Sequence, residues 1–177
     1  MGGDTAGQGT NDMAQANGNG GTPNGSTEAA PSGDVQVRVL NQYIKDMSFE
    51  NPSVTKPVVT QGESPNIQVE VNVNAQRLGE SVYESAITLR SQCAAKAGTV
   101  YEIEVVYGGI FEVKNLPDQQ LEPFLLVNCP ALLFPYLRRI VSDTTREGGY
   151  PPLMLDPIDF AQLYLRRQQP QGAPATA

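Results

Sequence analysis

Asn128-Cys129-Pro130-Ala131-Leu132-Leu133-Phe134-Pro135-Tyr136-Leu137-Arg138-Arg139 is the most apolar run in the chain, and two prolines interrupt it. Downstream, Leu133, Leu137, Ile140 and Val141 recur at helical spacing, with Arg138, Arg139, Asp143 and Arg146 between them. Gly148-Gly149 supplies a stop. The spacing predicts a helix from about Pro130 to Glu147. Pro130 suits a first turn, where the missing N–H costs nothing. Pro135 inside a helix removes one hydrogen bond and clashes with the preceding turn, at a cost on the order of 3 kcal/mol. The helix therefore either kinks there or begins its regular part there. The apolar excess over Leu132 to Tyr136 goes beyond one stripe, and a helix apolar on more than one face is buried on more than one side. In a domain this small the second side is expected to be another subunit, with Leu133, Phe134, Leu137 and Ile140 at the contact. The alternative is a sequestered core helix in a monomer.

Upstream the period is two. Val35, Val37, Val39, Tyr43, Met47 and Phe49 share one parity; Asp34, Gln36, Arg38, Gln42, Asp46, Ser48 and Glu50 share the other, and the alternation falters between Leu40 and Ile44. Asn51 to Asn66 holds three prolines and reads as a long connection. Ile67, Val69, Val71 and Val73 alternate with polar residues, a second strand buried on one side, and Ala75 to Ser81 reads as a turn. A third strand, Val82 to Lys96, sends Tyr83, Ile87, Leu89 and Cys93 inward. After a tight turn at Ala97-Gly98, a fourth sends Tyr101, Ile103, Val105 and Tyr107 inward, and Gly108-Gly109 breaks or bulges it before Ile110. Past Pro117 the period changes to about 3.6. Asp118 reads as the cap of a short helix over Gln119 to Val127, and Asp156-Pro157-Ile158-Asp159 as the start of a last helix to Arg167, with Phe160, Leu163 and Tyr164 on one face. Strands followed by helices give an α+β domain: a four-stranded antiparallel sheet with helices packed on one face. Residues 1–33, without Lys, Arg or aromatics, read as a disordered extension, 34–168 as the domain, and 169–177 as a disordered tail.

The totals exclude much. A net charge of −7 disfavours nucleic acid and anionic membrane surfaces. No run approaches the ~20 apolar residues that would cross a bilayer, so direct membrane insertion is not expected. No secretory leader is recognisable, and Cys93 and Cys129 make neither a disulfide framework nor a zinc set, so a reduced cytoplasm is the natural compartment. There is no histidine, no phosphate-binding loop and no Gly-x-Gly-x-x-Gly. Cys129 as a nucleophile would lack an activator, so it reads as a buried structural thiol, and neither catalysis nor a cofactor is expected. By parity, the outward sheet face collects Asp34, Asp46, Glu50, Glu70, Glu84, Glu102 and Glu104 against Arg38 and Arg90. That is either a solubility surface or an electronegative dock for a basic partner.

Cys129-Pro130-Ala131-Leu132-Leu133-Phe134-Pro135-Tyr136-Leu137-Arg138 resembles the signature of the SecB-type protein-export chaperones. The likeness extends to Tyr43-Ile44-Lys45-Asp46-Met47-Ser48-Phe49-Glu50-Asn51-Pro52, to Val82-Tyr83-Glu84, to Gly108-Gly109-Ile110-Phe111, and to the stretch from Gly149 to Phe160. It implies a cytosolic, ATP-independent holdase assembled as a homotetramer, a dimer of dimers, which binds unfolded preproteins and delivers them to the translocase ATPase SecA. It assigns SecA contacts to Asp46, Glu50 and Glu104. Glu102 lies beside them where the family pattern has an apolar residue, which makes the contact more electrostatic here. It places client grooves between the connection after the first strand and the last helix, hence at Val58, Val59, Phe160, Leu163 and Tyr164. The family's groove aromatics are absent from that connection. The alternative on the same fold is an adaptor or a chaperone dedicated to one partner, such as an antitoxin.

Overall fold

The computed structural model describes residues 33–55, 59 and 62–169. The expectations for the rest of the two terminal segments, and for Val58, fall outside these residues. The elements are β1 (Gln36–Glu50), β2 (Asn66–Arg77), β3 (Val82–Ala95), β4 (Gly98–Lys114), α1 (Asp118–Pro123), a π-helical segment (Phe124–Asn128), α2 (Cys129–Glu147) and α3 (Phe160–Gln168). The strands form one antiparallel sheet in the order β1-β4-β3-β2. α2 packs on β4 and β3, and α3 packs on the π segment. This is the expected α+β architecture.

Register decides which side chains share a face. Tyr101, Ile103, Val105, Tyr107 and Phe111 of β4, with Tyr83, Ile87, Leu89 and Cys93 of β3, point at the helices and are buried. The sequence placed a break at Gly108-Gly109, but β4 runs through both glycines. The irregularities sit on β1 instead, where the register shifts between Val39 and Asn41 and between Ile44 and Asp46. Each shift is a bulge that inverts the parity, and the two cancel. Between them Gln42 and Ile44 turn to the helix side while Asn41 and Tyr43 turn outward. The sequence parity had assigned Tyr43 and Gln42 the other way. β1 also lacks the buried face expected of it: Val37, Val39, Ile44 and Met47 remain exposed, because the helices cover β4 and β3 and do not reach the edge.

The two glycines have separate steric reasons. A Cβ on Gly109 would lie 2.7 Å from Leu133 Cδ2, so its absence lets α2 sit close on the sheet. A Cβ on Gly108 would lie 3.3 Å from the Tyr43 ring, which crosses β4 at that point on the other face.

The two helices expected over Gln119 to Val127 and Pro130 to Glu147 form one continuous run. α1, the π segment and α2 join into 30 residues, Asp118–Glu147, long and apolar enough to cross a bilayer by length and composition, which the sequence reading had not found. Much of its apolar surface is spent inside the protein: Leu125, Leu126, Leu133, Phe134, Leu137 and Val141 are buried with the sheet residues. Pro117, not Asp118, occupies the N-cap position.

The π segment follows from Pro130. The Cys129 N–H donates to Phe124 O, one residue further back than in an α-helix. The carbonyl of Leu125 would next receive the N–H of residue 130, and proline has none. Ser85 Oγ, fully buried near the start of β3, donates to Leu125 O at 2.8 Å and takes its place. α2 continues through Pro135 with an exposed ring. Thr145, fully buried near its end, donates to Val141 O and accepts the Leu153 N–H at 2.9 Å, which ties the following loop to the helix. α3 begins later than expected: Asp159, not Asp156, caps it, accepting the Gln162 N–H at 2.9 Å. Phe160 then meets Phe134 edge-on at 6.0 Å.

Candidate functional site

Asp46, Glu50, Glu102 and Glu104 share the sheet face away from the helices. Glu50 lies directly opposite Glu102, Ser48 opposite Glu104, and Asp46 opposite Val106. Two like charges paired across strands repel. Asp46 and Glu50 are exposed, Glu102 and Glu104 half-buried. Glu50, Glu70, Glu102 and Glu104 line a hollow of about 290 Å³ together with Arg90, Gln68 and Gln92. Asp46 stands outside it.

The acidity is more moderated than composition suggests. Arg90 pairs with Glu104 at 2.9 Å, and Arg38 and Lys114 both reach Glu112. Gln92 Nε2 donates to Glu102 Oε1. Glu84, counted among the outward acids, is only 5% exposed. Lys45 Nζ reaches its two oxygens at 2.9 and 3.1 Å, and Tyr43 Oη and Gln76 Nε2 donate to it as well. Burial alone would raise the Glu84 carboxyl; the hydrogen bonds from Tyr43, Lys45 and Gln76, with the Lys45 charge, hold it below its usual range. In return the hydrogen bond to Glu84, with desolvation, pushes the Tyr43 hydroxyl up to about 12. This network links β1, β3 and β2 across Gly108. Sequence reading missed it because Tyr43 was assigned to the opposite face; the faltering alternation at Leu40 to Ile44 was the signal. Asp46 and Glu50 enter none of these ion pairs, whereas Glu70 lies directly opposite Arg90 and shares its charge with Glu104.

The expected groove residues do not form one hollow. Val59 lines one of about 290 Å³ with Ser53, Val54, Val100 and Tyr150. There Tyr150 Oη donates to Asn51 Oδ1 and lies 2.7 Å from Ser53 Oγ, and Asn51 Nδ2 donates to Gly148 O at 3.0 Å. Leu163 and Tyr164 line a separate crevice with Val73 and Leu126. Phe160 is a core residue, 4% exposed. A larger hollow, about 860 Å³, lies elsewhere, between the β2–β3 turn and α1, where Arg77 sits over the Tyr83 ring.

The expected subunit contacts are likewise corrected. Leu133 and Leu137 are fully buried inside the protomer and Phe134 nearly so; Ile140 is half-buried. The apolar excess of the helix left outside the core is Leu132 and Tyr136, each 50% exposed, with the Tyr136 ring stacked on Tyr107 of β4 at a centroid distance of 6.3 Å. Both cysteines are buried, and burial pushes the Cys129 thiol up to about 12, so it is protonated at neutral pH.

The sequence model of the family described as "Preprotein translocase subunit SecB" matches residues 30–171. A protein-export protein SecB of Bradyrhizobium sp. is 44% identical over 89% of this chain and 93% of its own length. The corresponding protein of Zymomonas mobilis is 46% identical over 77% of this chain and 82% of its own. Among solved structures, a SecB-like chaperone of Mycobacterium tuberculosis in complex with an antitoxin peptide superposes with a TM-score of 0.55 at 16% identity, over 69% of this chain and 90% of that one. At that identity it bears on the fold alone.

Proposed function

The chain belongs to the SecB family of protein-export proteins, and from that premise we propose that it is an ATP-independent cytoplasmic holdase that keeps unfolded preproteins translocation-competent and hands them to SecA. The observation that carries this reading is the 44% identity to a protein-export SecB across nearly the whole length of both chains. The dedicated antitoxin chaperone is not favoured: its support is a fold likeness at 16% identity.

The geometry supports two parts of the reading. The face bearing Asp46, Glu50, Glu102 and Glu104 suits a basic docking partner, which is SecA in this proposal. The exposed apolar residues Val37, Val39, Ile44 and Met47 along the helix side of β1, with Leu132 and Tyr136 on α2, would be covered in a homotetramer and support one. Client segments would use the hollow at Val59 and the flank of α3 at Leu163 and Tyr164.

The test is suppression of aggregation of a slowly refolding client without ATP, read beside native mass and SecA binding. Suppression by a species of tetramer mass that also binds SecA is the expected result. A chain that holds no unfolded client would overturn the proposal.

A further inference from the structure

One cation stands beside the acids of the sheet face, and it belongs to the second bulge of β1. The register passes from Ile44 opposite Tyr107 to Asp46 opposite Val106, so Lys45 has no partner of its own on β4. A bulge of this kind re-aims a side chain. Lys45 and Asp46 are neighbours in sequence, both exposed, and both on the face away from the helices. A free ammonium there would lie next to the Asp46 carboxylate and offset its charge.

The ammonium is not free. Lys45 Nζ donates to both Glu84 oxygens, at 3.1 and 2.9 Å, and so points across β4 to β3. Gly108 leaves room for the crossing: the Glu84 carboxylate lies over it, where a Cβ would sit 3.5 Å from Oε1. Tyr43 Oη and Gln76 Nε2 donate to the same carboxylate and hold it in place, and the residue is buried. The other cations of this face are engaged likewise: Arg90 with Glu104, and Arg38 and Lys114 with Glu112. Among the described residues Asp46 pairs with no cation.

We propose that Glu84 is a positioning residue for partner docking: by holding Lys45 over Gly108 it keeps that cation off Asp46 and leaves the Asp46 carboxylate to a basic partner. The inference rests on the reading of this face as the docking surface for SecA. Glu84 is buried, touches no partner itself, and acts through Lys45. Once Glu84 loses its charge, Lys45 keeps its own, and its half-exposed side chain is free to turn. The acid it then meets is its neighbour Asp46, since Glu104 and Glu112 already hold cations. The pair so formed is exposed and weak, but it removes the attraction that Asp46 offers a partner.

The experiment uses the full-length chain at low salt, with SecA as the partner and pentalysine as a second probe. Glu84→Gln keeps the shape and an acceptor for Tyr43 and Gln76. It should weaken SecA binding about three- to fivefold, with native mass unchanged. Because it also makes the chain one charge less negative, two double variants restore the net charge of −7. Adding Lys45→Gln removes the displaced cation and should return binding to within about twofold of the unmutated chain. Adding Arg38→Gln restores the charge but leaves Lys45 beside Asp46, and should not. Equal recovery in both would make the effect one of net charge and overturn the proposal, as would normal binding by Glu84→Gln. Lys45→Gln alone gives a test that does not depend on the Glu84→Gln protein folding. It should strengthen binding no more than Arg38→Gln alone does, since Lys45 is already withdrawn. A gain several times larger would show that Lys45 masks Asp46 in the unmutated chain, and would overturn the proposal. If SecA binds none of these proteins, the docking reading fails, and pentalysine decides the role of Glu84 separately: the same pattern of loss and rescue upholds it for basic partners, and equal binding by all variants sinks it.

Discussion

Glu84 is a carboxylate that the folded chain keeps ionised among three donors on a face otherwise open to water. Its folded value lies below the usual one, so its contribution is complete above the ordinary carboxylate range and is lost as pH falls through the depressed value. Tyr43 behaves oppositely. Its folded value is raised to about 12, so its contribution is complete below the usual 10.0 and is lost as pH rises toward 12. One hydrogen bond thus limits stability at both ends of the pH scale. Glu84→Gln should cost about 1–3 kcal/mol at neutral pH, the range for a buried partner removed. It should also flatten the loss of stability at both extremes. Lys45 is not stranded by the change, since its side chain is 47% exposed. Urea unfolding from pH 3 to 11 reads this directly; parallel curves for the two proteins would show that the network is not coupled to folding.

Pro130 sets the local geometry of the long helix, and its consequence is met on another strand. Ser85 supplies the donor that position 130 lacks. Ser85→Ala should leave the Leu125 carbonyl buried and unbonded, at about 1–3 kcal/mol, whereas Pro130→Ala in the same background should recover part of the loss by restoring a backbone N–H. Thermal melts of the two single variants and the double variant give the coupling; strict additivity would contradict it. The helix also separates core residues from the half-exposed ones proposed to meet a second subunit. Leu133→Asp buries an uncompensated charge and should unfold the protomer, while Leu132→Asp, at a half-exposed position, should leave it folded and lower the native mass. A tetramer mass retained by a folded Leu132→Asp protein would show that subunits meet elsewhere. Most of this architecture was legible in the sequence, because Tyr83, Ile87, Leu89, Tyr101, Ile103, Val105 and Tyr107 keep one parity on the two central strands, with the serines Ser85 and Ser91 the polar exceptions on that face. β1 was legible only at its ends. Two bulges that cancel leave the outer residues on the expected faces and reverse the middle ones; the faltering alternation from Leu40 to Ile44 marks an irregularity there without naming Leu40 and Lys45 as the bulged residues. The split between Leu132 and Leu133 was also hidden, since both are leucines in one apolar run and only the sheet's position tells them apart.

Charge is unevenly spread. The sheet face carries Asp46, Glu50, Glu70, Glu102 and Glu104 with Arg90 among them, while the helices mix Arg138, Arg139, Arg146, Arg166 and Arg167 with Asp118, Glu122, Asp143 and Glu147. A partner steered by this distribution approaches the sheet face if it is basic. The four expected docking acids are not equivalent, however. Glu104 is held by Arg90 at 2.9 Å, while Glu50 faces Glu102 across the strands and is repelled by it. A basic partner gains attraction at Asp46 and Glu50, relieves the Glu50–Glu102 repulsion, and must compete with Arg90 for Glu104. Exposed pairs of this kind are worth about 1 kcal/mol or less each, so single changes are modest. Asp46→Lys with Glu50→Lys should weaken SecA binding roughly tenfold or more, mostly through the association rate. Client holding and native mass should stay unchanged, because neither side chain enters the core. Arg90→Gln should act in the other direction, freeing Glu104 and strengthening the complex. Raising salt should weaken binding of the unmutated chain and of Arg90→Gln alike, since charges beyond about 8 Å are screened at physiological ionic strength, and should do little to the double reversal. Calorimetry at two salt concentrations with the three proteins separates these outcomes. Normal SecA binding by the double reversal would make the face a solubility surface, and a weakened Arg90→Gln complex would make Arg90, not Glu104, the contacting group.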